Sequence, residues 1–124
     1  MLEVEGLHVA YGAAPALVDV SLRVGAGELV CVVGPNSAGK TTLIHALAGI
    51  LPAKAGRIAK EGDDLTRRAP HRWCAAGIAV VPEGRRLFTG MTVRENLDIG
   101  SYTPRARQQR AATLAQVLAL FPVL

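Results

Sequence analysis

The sequence has few aromatic residues, few cysteines and no long apolar run. Aromatic residues make up 4% of the 124, which argues against a protein that binds single-stranded nucleic acid by stacking its bases. Cys31 and Cys74 are too few for a disulfide framework or a zinc site. No apolar run approaches the roughly 18 residues of a membrane span, and Glu3 and Glu5 stand where a signal peptide would be cationic. We therefore expect a reduced, cytoplasmic chain that does not itself cross a membrane.

The composition is that of a folded domain with a modest positive charge. Half of the residues are hydrophobic and 19% are charged, which excludes a disordered or tail-like chain. The net charge of +4 is scattered along the sequence without a block of like charges. This pattern fits an ordinary basic domain, or a domain with an anionic partner such as nucleic acid, a membrane surface or a phosphate ligand. A phosphate ligand requires only a local site.

Several segments have the patterns of β-strands. Residues 2–9 are rich in β-formers, and apolar and polar residues alternate over 18–24 with Val18 on the apolar side, which predicts a half-buried antiparallel strand. Residues 29–33 and 78–81 are unbroken apolar runs next to glycine turns, as expected of strands in a sheet that is covered on both faces. Cys31 lies in the first of these runs and is expected to be a buried small hydrophobe.

Turn and capping signals delimit the remaining elements. A short strand is expected at 57–60 and helices at 43–48, 70–76, 93 onwards and 104–121. The third of these helices begins with Thr92 and Glu95 at the spacing of a capping box. The last has one apolar face, which suits a docking helix or a helix packed on its own domain. We favour the second interpretation.

The chemically informative segment is Gly34-Pro35-Asn36-Ser37-Ala38-Gly39-Lys40-Thr41. It fits the pattern G-x-x-x-x-G-K-[ST] and lies between a predicted buried strand and a predicted helix, which is the context this motif requires. Its glycines allow backbone N–H groups to converge on phosphate oxygens, and the helix directs its positive end at the same anion. Lys40 is expected to reach the β- and γ-phosphates, and the Thr41 hydroxyl to ligate Mg²⁺.

Two classes of protein share this motif: a self-contained small P-loop kinase or GTPase, and one piece of a larger motor ATPase. A P-loop hydrolase needs a second acidic site for Mg²⁺, usually an Asp that ends a buried strand. The run 78–81 leads instead into Pro82 and Glu83, and the pair 63–64 follows a polar segment. The sequence therefore favours a piece of a motor ATPase over a complete kinase.

Motifs along the whole chain resemble those of the ATP-binding subunits of ABC transporters. Tyr11-Gly12 resembles the A-loop of that family, residues 16–22 its "AL..VSL" strand, and 34–42 its Walker A motif. Residues 81–88, VPEGRRLF, followed by TVRENL at 92–97, are similar to the Q-loop and the helix after it. The sequence of these two segments is most similar to that of the branch of the family that takes up branched-chain (hydrophobic) amino acids.

The resemblance implies a set of site residues for ATP and Mg²⁺. Tyr11 would stack on adenine and Glu83 would take the Q-loop position, normally Gln, that contacts Mg²⁺ and the membrane subunit. The nucleotide-binding residues implied are Tyr11, Ala16, Gly34, Pro35, Asn36, Ser37, Ala38, Gly39, Lys40, Thr41 and Thr42, and the metal ligands Thr41 and Glu83. Arg85 and Arg86 could touch phosphate or a partner, but solvated loop charges are favoured. Glu83 is the one catalytic candidate, and the catalytic set is incomplete.

Two departures from the family pattern matter. Ser37 stands where the family usually has Gly, which would weaken binding if the position needs a positive φ. The signature sequence, Walker B Asp, catalytic Glu and switch His of the family do not appear by Leu124. The chain is thus expected to be the N-terminal half of such a subunit, and hydrolysis by the isolated chain is not expected.

These inferences define an α/β fold, with a P-loop NTPase core sheet, an antiparallel β portion and the start of a helical subdomain. Residues 1–124 would form one incomplete nucleotide-binding domain, with the core at 1–90 and the helical start at 91–124. The implied partners are membrane-spanning permease subunits and a second ATP-binding subunit, with no nucleic acid, at the inner face of the cell membrane. The implied function is energising an importer, for branched-chain amino acids; the alternatives are a nucleotide-binding fragment without ATPase activity and a small P-loop kinase.

Overall fold

The computed structural model of the chain describes residues 1–84 and 86–124, so that Arg85 lies outside the described residues. The chain forms two compact units, Met1–Val80 and Val81–Leu124. The expected start of a helical subdomain at residue 91 stays a prediction.

The first unit is built on an antiparallel sheet. Its strands are β1 (Leu2–Tyr11), β2 (Ala14–Val24), β3 (Ala55–Lys60) and β4 (Asp63–Asp64), and its helices are α1 (Lys40–Leu47) and α2 (Pro70–Ala75). The strand order is β2-β1-β3-β4, with every neighbouring pair antiparallel. The antiparallel β portion expected from the sequence is therefore confirmed.

A pair of facing irregularities changes which side chains of β1 and β2 point into the core. Asp19 has φ +53°, and Gly6 on the neighbouring strand has the same value and donates its N–H to Ser21 Oγ at 2.9 Å. The alternation of β2 is interrupted there, so that Leu17 is buried while Val18 is 63% exposed. The prediction that Val18 lies on the apolar side of the strand is wrong, because the positive φ of Asp19 interrupts the alternation of side chains.

One hydrophobic core joins the sheet to both helices. Strand residues such as Leu7 and Ile58 pack with Leu43 of α1 and Trp73 of α2 in one buried cluster. The Trp73 indole N–H donates to the Arg68 carbonyl at 3.2 Å, so its polar atom is satisfied inside the core. The tryptophan thus fixes its short helix against the sheet.

Two expectations about this core are wrong. The runs 29–33 and 78–81 were expected to be buried strands, but neither belongs to the sheet of the described residues, and Leu29 is 90% exposed and Val81 96%. Cys31 is likewise exposed rather than buried. An apolar run becomes a buried strand only when neighbouring strands satisfy its backbone groups. Within residues 1–84 and 86–124, no strand pairs with either run.

The second unit contains two helices, α3 (Val93–Ile99) and α4 (Pro104–Leu120). The capping box predicted at the start of α3 is present in both directions between Thr92 and Glu95. Arg110 of α4 forms an ion pair with Asp98 of α3, so α4 contacts a helix of its own unit. None of the described residues of this unit is buried. In the described part of the chain, every helix is too short or too polar to cross a membrane.

Candidate phosphate-binding site

The loop that precedes α1 contains a turn with an unusual backbone at its third residue. The Ala38 N–H donates to the Pro35 carbonyl at 3.3 Å, and Ser37 within this turn has φ +70°. A positive φ at the third position of a turn favours Gly or Asn, because a Cβ is strained there. The condition under which Ser37 was expected to weaken binding is therefore met by the backbone.

Gly39, at the end of this loop, packs closely against strand β2. Its φ is +85°, and a Cβ on Gly39 would lie 2.8 Å from Leu17 Cδ2 and 3.1 Å from the Ala16 carbonyl oxygen. The position therefore has neither the backbone conformation nor the space for a side chain. This packing places Ala16, one of the predicted site residues, directly beside the loop.

Helix α1 begins without a side-chain cap. Gly39 is its N-cap, no side chain accepts a hydrogen bond from the first turn, and the first turn contains no acidic residue. The first N–H groups of a helix have no partner within the helix, and together with the helix dipole they attract an anion. The start of α1 is thus suited to phosphate.

The Lys40 side chain folds back onto the start of the loop that precedes it. Its Nζ donates to the carbonyl oxygens of Gly34, at 2.8 Å, and Pro35, at 2.6 Å. A phosphate oxygen would compete well for the same ammonium group, because hydrogen bonds between two charged groups are stronger than those to a neutral carbonyl. The lysine is therefore held at the mouth of the loop, within reach of an anion at the helix start.

Tyr11 and Thr42 are brought together by the fold although they are 31 positions apart in the sequence. Tyr11 ends β1, Thr42 lies in the first turn of α1, and their hydroxyl oxygens are 3.2 Å apart. The sequence placed both residues at the site but did not predict that they contact each other. No local pattern could have shown it, because the contact depends on how α1 packs against the sheet.

The two predicted metal ligands lie in different units. Thr41 is exposed in the first turn of α1, whereas Glu83 is an exposed residue of the second unit, where its carbonyl oxygen accepts from Arg86 Nε at 3.3 Å. Mg²⁺ at nucleotide sites takes one or two protein ligands and completes its shell with water and phosphate oxygens. A single hydroxyl beside the helix start fits that chemistry. Among the described residues, no three His, Cys, Asp or Glu side chains form a metal-binding group. The pairing of Thr41 with Glu83 stays a prediction.

Comparison with known proteins identifies the family. The family model described as "ABC transporter" matches residues 17–123. The chain is 40% identical over its whole length to the high-affinity branched-chain amino acid transport ATP-binding protein BraG of Pseudomonas aeruginosa, of which it covers 53%. It is 36% identical over 89% of its length to the hemin import ATP-binding protein HmuV of Pseudomonas entomophila, of which it covers 43%. The chain belongs to the ABC transporter family.

A solved structure agrees with this assignment. The ADP conformation of MJ1267, an ATP-binding cassette of an ABC transporter, matches with a TM-score of 0.70 and 36% identity. The match covers 84% of this chain and 41% of that one. The expected α/β fold of a P-loop NTPase and the expected family are both confirmed. The chain spans about half the length of the curated relatives that it matches.

Proposed function

We propose that the chain binds ATP with Mg²⁺ at residues 34–42 and forms part of the ATP-binding subunit of an ABC importer. The observation that carries the proposal is the start of α1, which has no side-chain cap and holds Lys40 at the mouth of the loop. The family assignment supports the same ligand, because the matched relatives are named as ATP-binding proteins.

Each part of the site has a distinct role in this proposal. The backbone N–H groups at the start of α1 and the Lys40 ammonium group bind phosphate oxygens, and the Thr41 hydroxyl ligates Mg²⁺. Tyr11 offers its half-exposed ring to the adenine base. Mg²⁺, when bound, would neutralise charge on the β- and γ-phosphates. Glu83 is proposed at the Q-loop position and as the second protein ligand of Mg²⁺.

The cellular role is the broader part of the proposal. The site would act with a second ATP-binding subunit and with membrane-spanning permease subunits, at the inner face of the cell membrane. Import of branched-chain amino acids is proposed because BraG, which is named for branched-chain amino acid transport, matches over the whole chain. HmuV, named for hemin import, matches at a lower identity of 36% and over a smaller part of the chain, 89%, which favours branched-chain amino acids as the solute.

The test compares two lysine-to-alanine substitutions. Lys40→Ala removes a charge-assisted contact to phosphate and should weaken MgATP binding by about 1.5–3 kcal/mol. Lys54→Ala, which removes the same charge at an exposed position before β3, should leave the affinity unchanged. Isothermal titration calorimetry with MgATP measures both.

Equal affinities of the Lys40→Ala and unsubstituted chains would overturn the proposed site.

Phosphate release is measured on the same proteins. The isolated chain should release phosphate from MgATP no faster than the Lys40→Ala variant, because phosphoryl transfer depends on positioning and charge stabilisation by several groups together. Steady turnover that requires Lys40 would instead support a complete enzyme.

A further inference from the structure

The contact between Tyr11 and Thr42 joins two parts of the proposed site. The Tyr11 ring is 54% exposed, so that packing alone leaves it free to turn away, whereas Thr42 is 8% exposed and is fixed in the first turn of α1. Their hydroxyl oxygens are 3.2 Å apart, slightly beyond the usual range of about 2.5–3.0 Å for an O–H···O hydrogen bond. Either hydroxyl can be the donor.

The geometry of this bond restricts the ring. Tyr11 is the last residue of β1, and the chain turns back into β2 at Ala14. A half-exposed side chain at such a turn has more than one accessible rotamer. A hydrogen bond from its outer end to a buried hydroxyl on α1 selects the rotamer that lies alongside the helix start.

We propose that Tyr11 is a positioning residue as well as a binding surface: its hydroxyl, bonded to Thr42, holds the aromatic ring at a fixed place beside the phosphate-binding loop. This inference rests on the proposed function, because the ring and the loop are taken to bind the base and the phosphates of one nucleotide. A ring that acts by stacking alone would not need its hydroxyl group. A ring that Thr42 holds in place needs both hydroxyls.

The first test removes the Tyr11 hydroxyl and keeps the ring. Tyr11→Phe should weaken MgATP binding about two- to tenfold, the equivalent of one neutral hydrogen bond. It should change the binding of magnesium tripolyphosphate, which has no base, by less than about twofold, since the ring does not contact phosphate in this proposal. Tyr102→Phe, the same change at the other tyrosine and in the second unit, is the matched control.

The second test asks whether the two hydroxyls act as a pair. Thr42→Val should lower ATP affinity, and the Tyr11→Phe/Thr42→Val double variant should lose much less than the sum of the two single losses. Thr42→Ser, which retains the hydroxyl, should bind ATP more tightly than Thr42→Val. The fluorescence of Trp73, the single tryptophan, reports the unfolding midpoint of each variant, so that a loss of folded protein is not taken for a loss of affinity.

The outcomes separate this inference from the proposed function. If the unsubstituted chain binds neither ATP nor tripolyphosphate in a Lys40-dependent way, the proposed function fails and this inference fails with it. If binding depends on Lys40 but Tyr11→Phe binds ATP as the unsubstituted chain does, only the positioning role is overturned. Equal losses of ATP and tripolyphosphate in Tyr11→Phe, or additive losses in the double variant, would also overturn it.

Discussion

At the scale of single residues, Ser37 has a left-handed backbone conformation that is unfavourable for a residue with a Cβ. It occupies the third position of the Pro35–Ala38 turn with φ +70°. For a residue with a Cβ, this left-handed conformation costs about 1–2 kcal/mol relative to the right-handed one. The turn lies in the proposed phosphate-binding loop, so that the strain lies where the proposed ligand would bind.

Ser37→Gly should stabilise the chain by about 0.5–1 kcal/mol, because the strain that is relieved exceeds the extra conformational entropy that glycine loses on folding. The free energy of unfolding is measured by urea titration, followed by Trp73 fluorescence. Ser37→Ala is the matched control, since it removes the hydroxyl but keeps the Cβ, and it should give no stabilisation. If the two substitutions stabilise equally, the positive φ is not the cause.

At the scale of elements, Asp98 connects α3 to α4. Its Oδ1 accepts from Arg110 Nε at 2.9 Å and from Arg94 Nε at 3.4 Å. The hydrogen bond from Arg110 lowers the pKa of the Asp98 carboxyl, with smaller contributions from the charges of Arg110 and Arg94. A carboxyl whose pKa is lower in the folded state stabilises the fold at pH values above its unfolded pKa. This stabilisation is lost as the pH falls through the folded value.

We expect that Arg110→Ala raises the pKa of Asp98 towards the ordinary aspartate value, while Arg105→Ala, at an exposed position near the start of α4, leaves it unchanged. The carboxyl carbon resonance of Asp98, followed by NMR from neutral pH down to about pH 2, gives the pKa directly. The contact of α4 with α3 should weaken over the acid part of this titration. An Asp98 pKa that is the same with and without Arg110 would contradict the assignment.

At the scale of the whole molecule, the apolar run 29–33 has no strand beside it among the described residues. Leu29 and Val33 are 90% and 88% exposed. Exposed apolar segments with unpaired backbone groups favour association with other chains. The surface formed by this run is thus expected to determine how the 124-residue chain behaves in solution.

The isolated chain should self-associate, and the Leu29→Lys/Val33→Lys double variant should associate less, because the added charges oppose contact between two such segments. Sedimentation velocity at several protein concentrations measures this association. Val18→Lys, which replaces one exposed apolar residue on β2, serves as the comparison and should change the association little. A monomeric unsubstituted chain, or a double variant that associates as strongly, would refute the expectation.

Local signals in the sequence predicted most elements of this protein. The capping box placed the start of α3, and the motif at 34–41 placed the loop that leads into α1. Such signals are complete within a few residues, because caps, turns and helix starts depend on neighbouring backbone groups. The family resemblance extended them to an ABC transporter, which the comparisons confirmed.

Other features depended on contacts between distant segments, and only the tertiary structure decided them. The runs 29–33 and 78–81 have the pattern of buried strands, yet a strand forms only where partner strands accept its hydrogen bonds. The burial of Leu17 in place of Val18 follows from the backbone of Asp19, which the alternating pattern conceals. The bond between Tyr11 and Thr42 requires that α1 packs near the end of β1. By itself the sequence determined the position of the glycine-rich loop and the helices, because their hydrogen bonds are local. Strand pairing and the contact of Tyr11 were decided by the tertiary structure, because they join segments that are distant in the sequence.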